Sequence, residues 1–180
     1  MLHLNLNKNE EPLKFSEQKI AKLKPAFVKD GTITAANASS LSDGAAAVLL
    51  GSESIQDECK IMPKAKILAH TSFAYEPLYF TKAPIFAIEK VLKISGLDIK
   101  DIDLFEINEA FSYVPMVAID KLKLDYDKVN IHGGAVSLGH PIGASGTRIL
   151  VTLLNALKIR KVKYGIASIC IGGGEASAMI

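Results

Sequence analysis

The chain has 180 residues, of which 49% are apolar and 22% charged, with a formal net charge of +2. That length suits one domain, with room for part of a second. Lysines and acids interleave without a basic block, which argues against nucleic acid as a partner, and the apolar runs at 45–50 and 149–154 are too short to cross a bilayer.

The opening stretch MLHLNLNKNEEP turns polar at once and lacks the apolar stretch of a signal peptide. Cys59 and Cys170 read as free thiols of a reducing compartment rather than a disulfide framework. The expectation is a soluble, intracellular α/β protein.

Residues 1–15 are polar and uneven. Ser16 opens a short helix over SEQKIAKLK, which Pro25 ends, and Asp30-Gly31 signals a turn. A small-residue loop leads into the apolar run 45–50, which predicts a buried strand. SESIQDE predicts a helical turn capped by Ser52 or Ser54. From Lys64 the pattern becomes regular. KAKILAHTSFAY alternates as a strand does, and APIFAIEKVLKIS has helical spacing with Gly96 as its stop.

DLFEI then predicts a strand. EAFSYVPMVAIDKLKL predicts a helix, in which Pro115 is tolerable only near a first turn or at a kink. VNI predicts a strand, GASGTRILVTLLNALKI a long helix, and KYGIASICI and EASAMI two strands separated by three glycines. The order from Lys64 is therefore β-α-β-α-β-α-β-β. It implies a mostly parallel sheet with helices on its faces, made mixed by a final antiparallel hairpin. The strand at 45–50 has no sheet of its own to join, as though the protein were cut in the middle.

Three segments carry chemistry: EINEAF with Asn108 and Glu109 after a strand, GGAVSLGHPIGASG with His140 before a helix, and SICIGGGEAS with Cys170 at a strand end. In parallel α/β sheets, ligands gather at the carboxyl ends of strands. A histidine ahead of a helix N-terminus sits in a positive field that favours the neutral base. Cys170 beside it would have a lowered pKa and could pass protons. The N–H groups of Gly172–Gly174 could form an oxyanion hole. Each residue also has a plain reading: Cys170 as a small buried side chain, His140 as a loop cap, Asn108 as an N-cap with Glu109 a first-turn acid. His3, His70 and His132 read as structural or surface residues. Neither a G-x-G-x-x-G fingerprint nor a Walker pattern is present.

Together, NEAF at 108–111, GGAVSLGHPIGASG at 133–146 and CIGGG at 170–174 resemble the thiolases, with TITAANASSLSDGAAAVL at 32–49 and KLKPAF at 22–27 as further matching blocks. The resemblance implies a layered thiolase-like fold and a reversible Claisen condensation of two acetyl-CoA molecules. His140 would deprotonate the nucleophilic cysteine, and Cys170 would exchange protons with the substrate. Asn108 would fix a water that forms the first oxyanion hole with Nε2 of His140, and the Gly172 N–H would serve the second. Ser39 would contact the pantetheine of coenzyme A, which is a substrate; no tightly bound cofactor is implied. Phe80, Ala110 and Phe111 would line the acyl pocket and its approach.

The family's acylated cysteine belongs to a motif absent here, and Cys59 in IQDECKIMP does not resemble it. By the family plan, 1–42 would be the tail of a CoA-covering loop domain, 43–63 the last piece of an N-terminal domain and 64–180 the C-terminal domain. The implied partners are acyl-CoA, a missing N-terminal thiolase half, and further copies in a dimer or tetramer. AANAS at 35–39 and ASICIGGGEASAM at 167–179 resemble the potassium-activated mitochondrial type, whose ion would sit on the carbonyls of Ala35, Ala36, Ala38 and Val136. Glu175 departs from the small or neutral residue usual there. Both mitochondrial and cytoplasmic members share these motifs. The competing reading is a non-catalytic thiolase-derived fragment that binds acyl-CoA or a partner chain.

Overall fold

Four strands make one sheet in the order β1-β4-β3-β2, formed by β1 (His70–Ala74), β2 (Leu104–Ile107), β3 (Gly165–Cys170) and β4 (Glu175–Met179). The structure is a computed structural model that describes residues 11–180. The expectations for the first ten residues, His3 among them, lie outside the described residues. β2 pairs with β3 in parallel, whereas β3 with β4 and β4 with β1 are antiparallel. The sheet is thus mixed as expected: β1, β2 and β3 run the same way and β4 is reversed, but because β4 lies between β1 and β3, two of the three pairings are antiparallel.

Side chains alternate across the sheet and sort into two cores. Phe105, Ile107, Ile166, Ala176 and Ala178 face α3 (Ala83–Ser95) and α4 (Tyr113–Leu122). Leu104 and Ala167 face Ile149, Leu153 and Ala156 of α6 (Ser145–Arg160). In α3 the buried positions Ile85, Ile88, Val91 and Leu92 recur at helical spacing, and Pro84 sits in the first turn where no N–H is needed. Gly96 ends it at φ 72, in the left-handed region that glycine enters at little cost. Pro115 falls in the first turn of α4, where it removes no helical hydrogen bond. Truncating Ile88 or Ile107, both fully buried, would cost roughly 2–5 kcal/mol each.

Several expected elements are shorter or absent. SEQKIAKLK gives only one turn, α1 (Glu17–Ile20), and KAKILAHTSFAY gives a strand only over β1. Ser52 is the N-cap of α2 (Glu53–Cys59), but its hydroxyl bonds the Ser54 hydroxyl instead of a backbone N–H of the helix. The run 45–50 is not a buried strand. It has no ladder partner among the described residues, and Leu49 and Leu50 are 88% and 70% exposed, since no described strand edge lies against it. VNI is not a strand either. Val129 makes a single parallel bridge to Phe105, and Asn130 then turns into the left-handed region at φ 49. Its side-chain amide completes the edge of β2 by accepting from the Ile107 N–H at 2.8 Å and donating to the Ile107 carbonyl at 2.9 Å. The order observed from β1 is β-α-β-α-α-α-β-β, the short α5 (Ala135–Leu138) standing where a third strand was expected.

Candidate active site

Asn108 is the first residue beyond β2. Its N–H donates to the Ser168 carbonyl at 2.9 Å, so the parallel ladder runs one residue past the strand and fixes where the side chain emerges. That side chain is 1% exposed, at the carboxyl end of the sheet. His140 follows Gly139, whose φ is 94; a Cβ there would lie 2.1 Å from the Ser42 hydroxyl oxygen, so only glycine lets the two loops meet so closely. The His140 N–H donates to the Ser40 carbonyl at 2.9 Å. A few residues earlier, the Ser39 N–H and hydroxyl both donate to the Ala110 carbonyl, at 3.1 and 2.9 Å, and the Ser112 N–H donates to Asn37. The small residues at 37–42 therefore stitch the Asn108 loop to the His140 loop.

The side chains of the two loops meet. Asn108 Nδ2 lies 3.3 Å from His140 Nε2, and His140 Nδ1 lies 2.6 Å from the Ser145 hydroxyl. That hydroxyl, fully buried at the start of α6, donates to the Pro141 carbonyl at 3.1 Å. Having used its own proton, Ser145 must accept from Nδ1–H, which leaves Nε2 as the lone-pair nitrogen. Burial pushes the His140 pKa down, and the Arg148 cation pushes it further. Desolvation and Arg148 thus both favour the neutral form of this ring.

The sequence reading passed over Arg148, Glu106 and Asn130. Glu106, the charged residue inside the apolar strand DLFEI, is 2% exposed and faces α6, as Leu104 does. Arg148 of α6 brings Nη2 to 3.4 Å from Asn108 Oδ1 and Nη1 to 3.7 Å from Glu106 Oε2. Burial raises the Glu106 pKa to about 7, outweighing the attraction of Arg148, and nearby Glu109 adds to the rise. Glu109 accepts from Asn130 Nδ2 at 2.8 Å and from the Val136 N–H at 3.0 Å. A lone acid in a buried strand was the signal available in the sequence.

Cys170 ends β3, next to the strand that presents Asn108. Among the described residues no hydrogen bond links it to His140 or Asn108. It packs in the core beneath α3, and burial pushes its thiol up to about 11 rather than down as expected. In the turn that follows, the Gly174 N–H is taken by the Ile171 carbonyl at 3.1 Å, whereas the Gly172 N–H has no acceptor among the described residues. Phe111 packs between Phe27 and Phe80, with ring centroids 5.8 and 6.5 Å away. The described residues hold no cluster of His, Cys, Asp or Glu suited to a metal ion. No described helix is long and apolar enough to cross a membrane.

An α/β domain with Asn, His and Cys gathered at one end of a mixed sheet is the class that these observations define. The sequence matches the thiolase C-terminal domain over residues 61–180 and the thiolase N-terminal domain over 4–54. The chain belongs to the thiolase family. The mitochondrial acetyl-CoA acetyltransferase of Rattus norvegicus is 50% identical over 176 residues, covering 97% of this chain and 41% of that protein. The crystal structure of the Bacillus anthracis acetyl-CoA acetyltransferase superposes with a TM-score of 0.92 at 43% identity, over 96% of this chain and 44% of that one. A thiolase from Ascaris suum, crystallised in complex with coenzyme A, superposes with a TM-score of 0.86 at 46% identity, covering 96% and 45%. The chain thus spans under half the length of these relatives.

Proposed function

We propose that this chain supplies the histidine base, the acid/base cysteine and the oxyanion donors of an acetyl-CoA acetyltransferase of the potassium-activated type. The enzyme would join two acetyl-CoA molecules into acetoacetyl-CoA and free CoA, or run the reverse thiolysis. The observation that supports it most is the contact between Asn108 and a His140 ring whose other nitrogen is held by Ser145. That arrangement presents a neutral imidazole with its lone pair on Nε2, as a base for a thiol must be.

The acylated cysteine would come from an N-terminal thiolase half. His140 Nε2 takes its thiol proton, and the thiolate attacks the thioester carbon. Once protonated, Nε2 no longer accepts from Asn108. The 3.3 Å contact is long and is given up cheaply, leaving the Nε2–H and the Asn108 amide to stabilise the oxyanion directly or through a water. The proton then leaves Nε2 with the departing CoA thiolate. At rest Cys170 is a thiol, the form that protonates the carbanion released in cleavage. Its high proton affinity makes the thiolate, once formed, a strong base for the α-proton of acetyl-CoA in synthesis. The free Gly172 N–H serves the thioester oxygen of that second substrate.

Ser39, held against Ala110, and the Phe80–Phe111 pair would border the pantetheine and acyl path. The carbonyls of Ala35, Ala36, Ala38 and Val136 accept no hydrogen bond among the described residues, which fits a hard monovalent cation. Bound there, potassium would supply positive charge that orders the loop carrying Ser39. The division into 1–42, 43–63 and 64–180, a dimeric or tetrameric assembly, and a mitochondrial or cytosolic setting all belong to this reading. The test is thiolysis of acetoacetyl-CoA, followed as loss of its enolate absorbance when CoA is added, with and without potassium. The full chain alone should be silent and should become active, more so with potassium, when an N-terminal thiolase half is supplied. Turnover by the chain alone would overturn this division of labour.

A further inference from the structure

We propose that Arg148 is a positioning residue: its guanidinium orients the Asn108 amide, and through that amide it fixes which nitrogen of His140 carries the proton. This rests on the reading of His140 as the site's base and adds a residue that acts through it.

A guanidinium has five N–H donors and no acceptor, so the Asn108 atom that faces Arg148 Nη2 at 3.4 Å must be the oxygen. The amide nitrogen is then turned toward His140 Nε2, 3.3 Å away, and that nitrogen has to accept. At the opposite end, the Ser145 hydroxyl gives its proton to Pro141 and so receives one from Nδ1. From Arg148 to Pro141 every proton has a single consistent position. Without Arg148 the Asn108 amide can turn over, present its oxygen to Nε2 and reward the opposite tautomer, which is useless as a base at that atom.

Arg148 is suited to this task and costly for any other. Its Nε and Nη1 are buried without a hydrogen-bond partner, and Glu106 is close enough to attract but not to bond. A half-buried cation whose inner nitrogens are so poorly satisfied is a poor source of stability. The charged groups around the network are Glu106 on β2, Glu109 in the loop after it, Arg148 on α6 and Asp43 in the segment beside His140. Of these, Arg148 lowers the proton affinity of the ring directly.

The experiment reads the imidazole itself, by long-range proton–nitrogen NMR of the full chain across pH. His140→Gln identifies its signals among those of the four histidines. In the native chain the Nδ1–H tautomer of His140 should dominate by about tenfold, the equilibrium worth of one hydrogen bond. Arg148→Gln should bring the two tautomers toward parity and move the titration up. Arg148→Lys, which keeps the charge and loses the planar fork, should mix the tautomers while the titration stays low. A native His140 that carries its proton on Nε2 overturns the proposal without any variant. So does a variant at 148 that retains the native amide spectrum elsewhere and the native tautomer. The readout needs no turnover, so failure of the thiolase assay and failure of this inference are separate results.

Discussion

Asn130 is a single side chain on which a strand edge and the loop of the candidate site both depend. It accepts from Ile107 N–H, donates to Ile107 carbonyl, and donates to Glu109, which in turn holds the N–H of Val136. Two neutral hydrogen bonds contribute about 1 kcal/mol each, and the one to a carboxylate about 1.5 kcal/mol. Its φ of 49 adds a further cost of about 1 kcal/mol for an ordinary residue. Water entering the space of a truncated side chain offsets part of the lost bonding. Asn130→Ala should therefore destabilise the chain by about 3–4 kcal/mol. Asn130→Gly, which keeps the backbone geometry, should cost about 1 kcal/mol less than that. Urea unfolding followed by far-ultraviolet circular dichroism measures both. A loss below about 1 kcal/mol for alanine, or a glycine variant no better than alanine, would refute the claim that this side chain stands in for a strand.

Other consequences concern ionisation and surface. The Glu106 pKa is raised to about 7 by burial, so the folded state holds a proton that the unfolded chain has released. Its contribution to stability is present below the ordinary carboxylate value and declines as pH rises to about 7, by roughly 3 kcal/mol at about 1.4 per pH unit. The stability gap between native chain and Glu106→Gln should change across that window and stay level above it; a gap that is flat from pH 4 to 8 contradicts the assignment. Cys170, with its thiol at about 11, is about one part in a thousand thiolate at pH 8, so iodoacetamide should label exposed Cys59 first. Mass spectrometry showing Cys170 labelled as fast as Cys59 would be the contrary result. Leu41, Leu49, Leu50 and Met62 are all at least 70% exposed, which predicts concentration-dependent self-association and binding of an apolar dye by the chain alone. A dye-silent monomer at every concentration speaks against this.

The elements that periodicity and punctuation identify are those that bury a face within this domain. α3 was legible from its apolar spacing and Gly96, α6 from its long apolar stripe, and β3 and β4 from the glycines between them. Where the reading failed, the competing force was tertiary. Residues 45–50 carry a strand's composition but have no described neighbour to pair with, and VNI gives up its last ladder position to a side-chain amide. The parallel bias expected from alternation holds for the direction of β1, β2 and β3 but not for the pairings, because the reversed strand β4 inserts between β1 and β3. Asn108 and Cys170 stood out at strand ends, and His140 in a glycine-rich loop before a helix. Arg148 and Glu106 did not, since a charged residue in an apolar run shows its partner only after the helix has docked. The direction of the Cys170 shift was also beyond the sequence, because it depends on how deeply β3 is covered.

The central claim is a division of labour, with His140 the base for acyl transfer and Cys170 the acid/base for carbon–carbon bond making. The most direct test measures two half-reactions of the chain combined with an N-terminal thiolase half. One is exchange of the acetyl group between acetyl-CoA and labelled CoA, which needs only acyl transfer; the other is cleavage of acetoacetyl-CoA, which also needs the carbanion protonated. The account predicts that His140→Ala abolishes both, whereas Cys170→Ala abolishes cleavage and leaves exchange. Cys170→Ala stopping exchange as completely as cleavage, or His140→Ala sparing exchange, would contradict it.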